Sequence, residues 1–272
     1  MSNLAATFQR LKQEKRAAFI PFFSAGDPDM ATTADLIKSA AADGADVIEI
    51  GVPFSDPIAD GPVIQASYYR ALDKGFRVAQ LFELVKNLRA DGLKIPLICM
   101  VSYTLVYKRS LATFLKSCKE SGFDALIIPD LPAGYEGDAA ERSAEAGLDL
   151  IFLIAPTTTT ERRGLIAKLS RGFIYYISVT GITGARTVLP PDLADNVKDI
   201  QKRTTTPVCV GFGISKPEQA QAVGSIADGV IVGSAVVKKV EEALAQNLSG
   251  AALVKHVSVL IKDLAAAAHH PR

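Results

Sequence analysis

A chain of 272 residues, 49% hydrophobic and 22% charged, can bury a sizeable core, which excludes a disordered chain and fits one large α/β domain or two small ones. Thirty basic residues against twenty-nine acidic ones give a formal charge of +1, too little for broad attraction to nucleic acid or an anionic membrane. The three cysteines, Cys99, Cys118 and Cys209, form no CxxC pair, so neither a disulfide framework nor a zinc knuckle is expected.

At the amino terminus Leu4, Phe8 and Leu11 fall at helical spacing, while Gln9, Arg10 and Lys12 interrupt any signal-peptide core. This predicts an amphipathic helix. No run of about eighteen apolar residues follows, so nothing in the sequence reads as a bilayer span and a cytoplasmic enzyme is the expectation.

Short β-branched or apolar runs then recur at Ala18 to Phe23, Asp46 to Ile50, Pro96 to Val101, Asp124 to Ile128, Leu148 to Ile154, Phe173 to Ser178, Pro207 to Val210 and Gly229 to Val232. Stretches with helical periodicity separate them. Between the first two, Leu36, Ile37 and Ala40 share one face, Asp35, Lys38 and Asp43 lie elsewhere, and Gly44 marks a stop. Gly-Ala-Asp, Gly-Phe-Asp and Gly-Leu-Asp triplets precede the second, fourth and fifth strands, a weak βα repeat. Eight such units without a linker or a first-strand GxGxxG fingerprint predict an α/β fold of (β/α)8 TIM-barrel type with an additional N-terminal helix, one domain over residues 1–272. In that fold the chemistry gathers at the carboxyl ends of the strands.

Glu49 lies in Asp46-Val47-Ile48-Glu49-Ile50-Gly51, where alternation puts it with Val47 and Gly51, opposite Ile48 and Ile50. Both faces of a barrel strand are covered, so its carboxyl is desolvated and its pKa should rise, unless a nearby Arg or Lys pairs with it structurally. The next loop, Pro53 to Pro62, carries three prolines, which stiffen it, and two acids, Asp56 and Asp60. Asp60 suits a division of labour with Glu49, one acid ionised while the other holds a proton; Asp56 reads better as a turn or cap residue. Glycines follow the last three strands, in Gly181-Ile182-Thr183-Gly184-Ala185, Gly211-Phe212-Gly213-Ile214-Ser215 and Gly233-Ser234. Backbone N–H groups there, with a following helix start, make a phosphate site, and three successive loops point to a phosphorylated substrate.

The histidines, His256, His269 and His270, lie beyond the last strand, and no strand offers an obvious Schiff-base lysine. Zinc aldolase, triad hydrolase and Schiff-base chemistry therefore lose support, and no metal site is expected. Carboxylates, hydroxyls and a tyrosine at Tyr175 or Tyr176 remain, a set suited to acid–base chemistry.

From about Ala18 to Leu244 the chain resembles the tryptophan synthase alpha-subunit family. The likeness is carried by Pro21-Phe22-Phe23-Ser24-Ala25-Gly26-Asp27-Pro28, by Glu49 through Pro62, and by Ser178 through Ala185. The resemblance implies cleavage of indole-3-glycerol phosphate to indole and glyceraldehyde 3-phosphate. Glu49 would then be the principal acid–base residue, Asp60 its partner at the indole nitrogen, Thr183 the loop residue that hydrogen-bonds Asp60, and Tyr175 an orienting group. Gly184, Gly213, Gly233 and Ser234 would bind phosphate, and Phe22, Met100, Leu153 and Phe212 would line the indole pocket. It implies no cofactor in this chain, and a pyridoxal-phosphate-dependent beta subunit as partner in an alpha2-beta2 heterotetramer. The chain departs from the family after the third strand, where Met100-Val101-Ser102-Tyr103-Thr104-Leu105 replaces the common Met-x-Tyr-Tyr-Asn-Pro.

Overall fold

The computed structural model describes residues 2–177, 190–211 and 213–271. Its parallel strands are β1 (Ala18–Ser24), β2 (Ile48–Gly51), β3 (Leu97–Met100), β4 (Ala125–Ile127), β5 (Asp149–Ile151), β6 (Leu153–Ile154), β7 (Ile174–Ile177), β8 (Val208–Gly211) and β9 (Gly229–Val232). The sheet order is β5-β4-β3-β2-β1-β9-β8-β7-β6. Its two ends are consecutive pieces of one extended segment, so the chain itself closes the ring as a TIM barrel. The sequence predicts one strand from Leu148 to Ile154; the structure interrupts it at Phe152, whose amide donates to Ser170 Oγ at 3.3 Å instead of to a neighbouring strand. At that residue the segment changes partner from β4 to β7.

Strand alternation sorts the core into two shells. Ile20, Ile98, Ile127, Ile151, Cys209 and Ile231 fill the barrel, whereas Phe19, Ile48, Ile50, Cys99 and Val230 face the surrounding helices. The helix Asn3–Gln13 adds Leu4, Phe8 and Leu11 to the inner shell, with Phe8 edge-on to Phe173 at 5.9 Å, and so stoppers the amino-terminal end of the barrel. Burial of three such side chains is worth roughly 1.5–3 kcal/mol each. In the helix Met30–Ala42 the predicted face is buried, through Leu36, Ile37 and Ala40.

The recurring triplets have a structural cause. Gly44, Gly122 and Gly147 each adopt a left-handed φ, at +106°, +103° and +72°, which turns the chain from helix to strand. The aspartate two residues later caps a strand edge: Asp46 accepts from Phe19 N at 3.0 Å and Asp124 from Leu97 N at 2.8 Å. Asp149 instead accepts from Ser2 Oγ at the start of the N-terminal helix. Asp228, outside the triplet pattern, repeats the first arrangement with Val208 N at 2.9 Å.

Asp46 is the most heavily engaged of these, held also by Arg16 through two bonds of 3.0 Å and by His269 Nε2 at 2.8 Å. Burial raises its pKa, but the bonds from His269, Arg16 and Phe19 N–H outweigh that and leave it below the usual carboxylate value. A depressed folded pKa means a contribution that is complete above the unfolded value near 4 and is lost as pH falls through the folded value. Asp46→Asn is therefore expected to lower stability by about 2–3 kcal/mol at pH 7. In urea unfolding the deficit should shrink toward zero below about pH 4.

Candidate active site

Glu49 is placed on the inner face of β2 because Ile48 and Ile50, on either side of it, are buried against the outer helices. Register sets it between Phe22 of β1 and Ile98 of β3. Its carboxyl is 1% exposed, and Oε2 has no hydrogen-bond partner among the described residues. Among the described residues no Arg or Lys pairs with it, as a structural ion pair would require. Burial, reinforced by the charge of Asp60, pushes Glu49 up to about 8.

Asp60 ends the loop after β2. Its amide donates to the Pro57 carbonyl at 3.1 Å, and its own carbonyl accepts from Gln65 Nε2 at 2.8 Å, so the backbone is tied where the residue lines the cavity. It does not serve as a helix cap: the next helix, Pro62–Asp73, starts from Gly61 with no side-chain cap bond. Burial, then the charge of Asp130, raise Asp60 to about 7. Asp56 is exposed and accepts from its neighbour Ser55 Oγ at 2.7 Å, in keeping with a turn role.

Glu49 and Asp60 line one cavity of about 550 Å³ at the carboxyl ends of the strands. Phe22, Met100 and Tyr175 line it too, and Gly213, Gly233 and Ser234 form another part of its wall. The choice between the two tyrosines is resolved by alternation: Tyr175 faces inward and Tyr176 packs in the outer shell. Burial first, then the charges of Glu49 and Asp60, hold the Tyr175 phenol well above its usual pKa, so it keeps its proton. Ser234 opens the helix Ser234–Ala245; the Val236 and Val237 amides donate to the Gly233 carbonyl, and those of Ser234 and Ala235 precede the first intrahelical bond at the positive dipole end. An anion at Ser234 and Ala235 would find donors already in place.

Leu153 faces the barrel interior beside Met100 and Ile177 and is not part of the cavity wall. Thr183, Gly184 and Phe212 lie outside the described residues. The histidines are remote from the mouth: His269 is bonded to Asp46 at the opposite rim, and His256 lies in the helix Gly250–Ala268, 4.0 Å from Glu242. Two residues at the site escape the sequence reading. Asp130, beyond β4, accepts from Ser102 Oγ and Tyr103 N, both at 2.7 Å, and so anchors the segment that departs from the family pattern. A search for acids just past each strand would have found it. Tyr68, on the helix Pro62–Asp73, reads by periodicity as core, yet it lines a second cavity of about 350 Å³ together with Asp60 and Met100.

A family profile described as "Tryptophan synthase alpha chain" matches residues 8–269. The chain belongs to the tryptophan synthase alpha chain family. It is 45% identical to the tryptophan synthase alpha chain of Rhodopirellula baltica over 254 residues, covering 93% of this chain and 91% of that one. Against the alpha chain of Synechocystis sp. the identity is 45% over 243 residues, with 89% and 92% covered. Among solved structures, a chain of Mycobacterium tuberculosis tryptophan synthase superposes with a TM-score of 0.89 at 32% identity, covering 99% of each chain. The alpha subunit from Legionella pneumophila gives 0.90 at 31% identity, covering 98% of each. Tryptophan synthase alpha chains are carbon–carbon lyases of tryptophan biosynthesis that cleave indole-3-glycerol phosphate; the pyridoxal phosphate of tryptophan synthase belongs to the beta subunit. For an alpha chain the layout is apt, with apolar walls and two acids in one part of the cavity and backbone donors in another.

Proposed function

We propose that Glu49 and Asp60 perform the cleavage of indole-3-glycerol phosphate as an acid–base pair. The reading is carried by one observation: a buried carboxyl and a half-buried one, each with a raised pKa, line a single cavity that also presents a helix start. Near neutral pH the Glu49 carboxyl is protonated and Asp60 is partly ionised. Glu49 delivers its proton to C3 of the indole ring while the Asp60 carboxylate offsets the positive charge at the ring nitrogen. Glu49, now ionised, takes the proton of the adjacent glycerol hydroxyl. The carbonyl of glyceraldehyde 3-phosphate forms, the carbon–carbon bond breaks, and its electron pair returns to the ring as neutral indole. Glu49 regains its starting proton, so the step balances without water or a redox partner.

Tyr175, kept a neutral phenol by burial and by the charges of both acids, orients Glu49, while Phe22 and Met100 pack the indole. Gly213, Gly233 and Ser234 receive the phosphate, joined by Gly184, with Thr183 and Phe212 completing the pocket as the family likeness implies; Leu153, off the cavity wall, backs it from the barrel interior. The chain works as one domain over 1–272. It passes indole to a pyridoxal-phosphate-dependent beta subunit in an alpha2-beta2 assembly, in line with its likeness to a chain of the M. tuberculosis enzyme. Ile58, Tyr107 and Tyr135, 85%, 75% and 73% exposed, follow β2, β3 and β4 and so share one arc of the barrel mouth, a surface suited to that partner.

Indole release by the purified chain, followed from pH 5.5 to 9.5 with and without a beta subunit, tests the pair. The working form holds a proton on Glu49 and none on Asp60, so kcat/KM should rise through about pH 7 and fall beyond about pH 8. A profile flat across that range would remove both residues from their roles.

A further inference from the structure

Tyr68 takes no part in the relay just described. Its ring is buried, 2% exposed, against Phe22, Ile64, Val237 and Met100. Its hydroxyl is placed unlike an ordinary core group. A Cβ added to Gly51 would lie 2.4 Å from the Tyr68 hydroxyl, so that oxygen sits against the inward position of β2 next beyond Glu49. Tyr68 shares the wall of the second cavity with Asp60, and Glu49 does not line that cavity. The hydrogen bonds of Asp60 described above run through its backbone, leaving the carboxyl to be fixed by other means. Tyr68 also stands in the helix that begins two residues after Asp60, so loop and phenol are carried by one rigid element.

We propose that Tyr68 is a positioning residue that donates its hydroxyl hydrogen bond to the ionised Asp60 carboxylate and holds it toward the ring nitrogen of the substrate. The inference rests on the role assigned to Asp60 above. Asp60 is favoured over Glu49 as acceptor by the shared cavity wall, and it acts on the phenol more strongly than Glu49 does. Burial, then the charges of Asp60 and Glu49, keep the phenol protonated well beyond its usual range, so the donor is available throughout the working pH. A donor to the charged form of a carboxyl favours that form. Tyr68 would thereby restrain the rise that burial imposes on Asp60.

Tyr68→Phe keeps the packed ring and removes only the donor. Its pH profile of indole release is compared with those of the parent and of Asp60→Asn, after urea unfolding has verified that both variants fold. Tyr68→Phe is expected to lower kcat about tenfold with KM unchanged, and to move the acid limb of kcat/KM upward by about one pH unit. Asp60→Asn should abolish that limb. If Asp60→Asn abolishes the limb but Tyr68→Phe leaves it in place, the role of Tyr68 is overturned and that of Asp60 stands. A limb that persists in Asp60→Asn overturns both. Movement of the alkaline limb alone in Tyr68→Phe would make the phenol a partner of Glu49 and equally overturn the proposal.

Discussion

Glu49→Gln is expected to reduce indole release at least about a hundredfold while leaving the affinity for a glycerol phosphate analogue close to that of the parent. The amide matches the carboxyl in size and meets the same walls of Phe22, Ile98 and Tyr175, but can neither give a proton to carbon nor take one from the substrate hydroxyl. Stability should move the other way. The folded protein holds the Glu49 proton up to about pH 8, whereas the unfolded chain releases it near 4.3, so folding grows less favourable as pH rises between those values. The parent should lose on the order of a few kcal/mol across that interval through this group, and the glutamine variant should not. Urea unfolding at pH 5 and pH 8 reads the difference: the variant gains on the parent as the pH goes up. Undiminished turnover, or a stability gap indifferent to pH, would detach Glu49 from the role given to it.

Gly51→Ala is the second substitution with a large expected effect. The added methyl would lie 2.4 Å from Phe22 Cζ, 2.6 Å from its Cε2 and 2.4 Å from the Tyr68 hydroxyl. Both rings are buried, at 4% and 2% exposure, and neither can swing into solvent. Overpacking of this kind costs about 1–3 kcal/mol, and the displaced rings form walls of the two cavities that meet at Asp60. A shift of reacting groups by an ångström can cost about a hundredfold in rate, so kcat/KM should fall by that order together with stability. Gly233→Ala is the contrast, since its methyl would meet Phe22 only at 3.7 Å, and its unfolding midpoint should stay near that of the parent. Parental stability and rate in Gly51→Ala would mean that the Phe22 and Tyr68 walls yield freely.

Much of the site was legible because strand alternation is a strict rule. Ile48 and Ile50 must face the helices, so Glu49 must face the cavity, and a short proline-rich loop cannot carry Asp60 far from it. The glycines after β8 and β9 could be read for the same reason, as their place at strand ends sends them to the mouth. What escaped depends on contacts distant in sequence. Nothing near Phe152 announces that Ser170 will take its amide and divide the strand. Asp46 reads as the first residue of a strand, although its carboxylate is engaged by Arg16, Phe19 and His269, the last 223 positions away. Tyr68 shares a helical face with Ile64 and Ala71, so its pattern declares a core residue and is silent about where the hydroxyl ends.

The stoppered end of the barrel has a practical consequence. Asp46, Asp124 and Asp228 fasten neighbouring strands at the rim opposite Glu49 and Asp60. Of the acids, Glu49 weighs on both stability and turnover, whereas those at the base act on stability without touching the cavity, and an engineer could harden the base of this enzyme without retuning its chemistry.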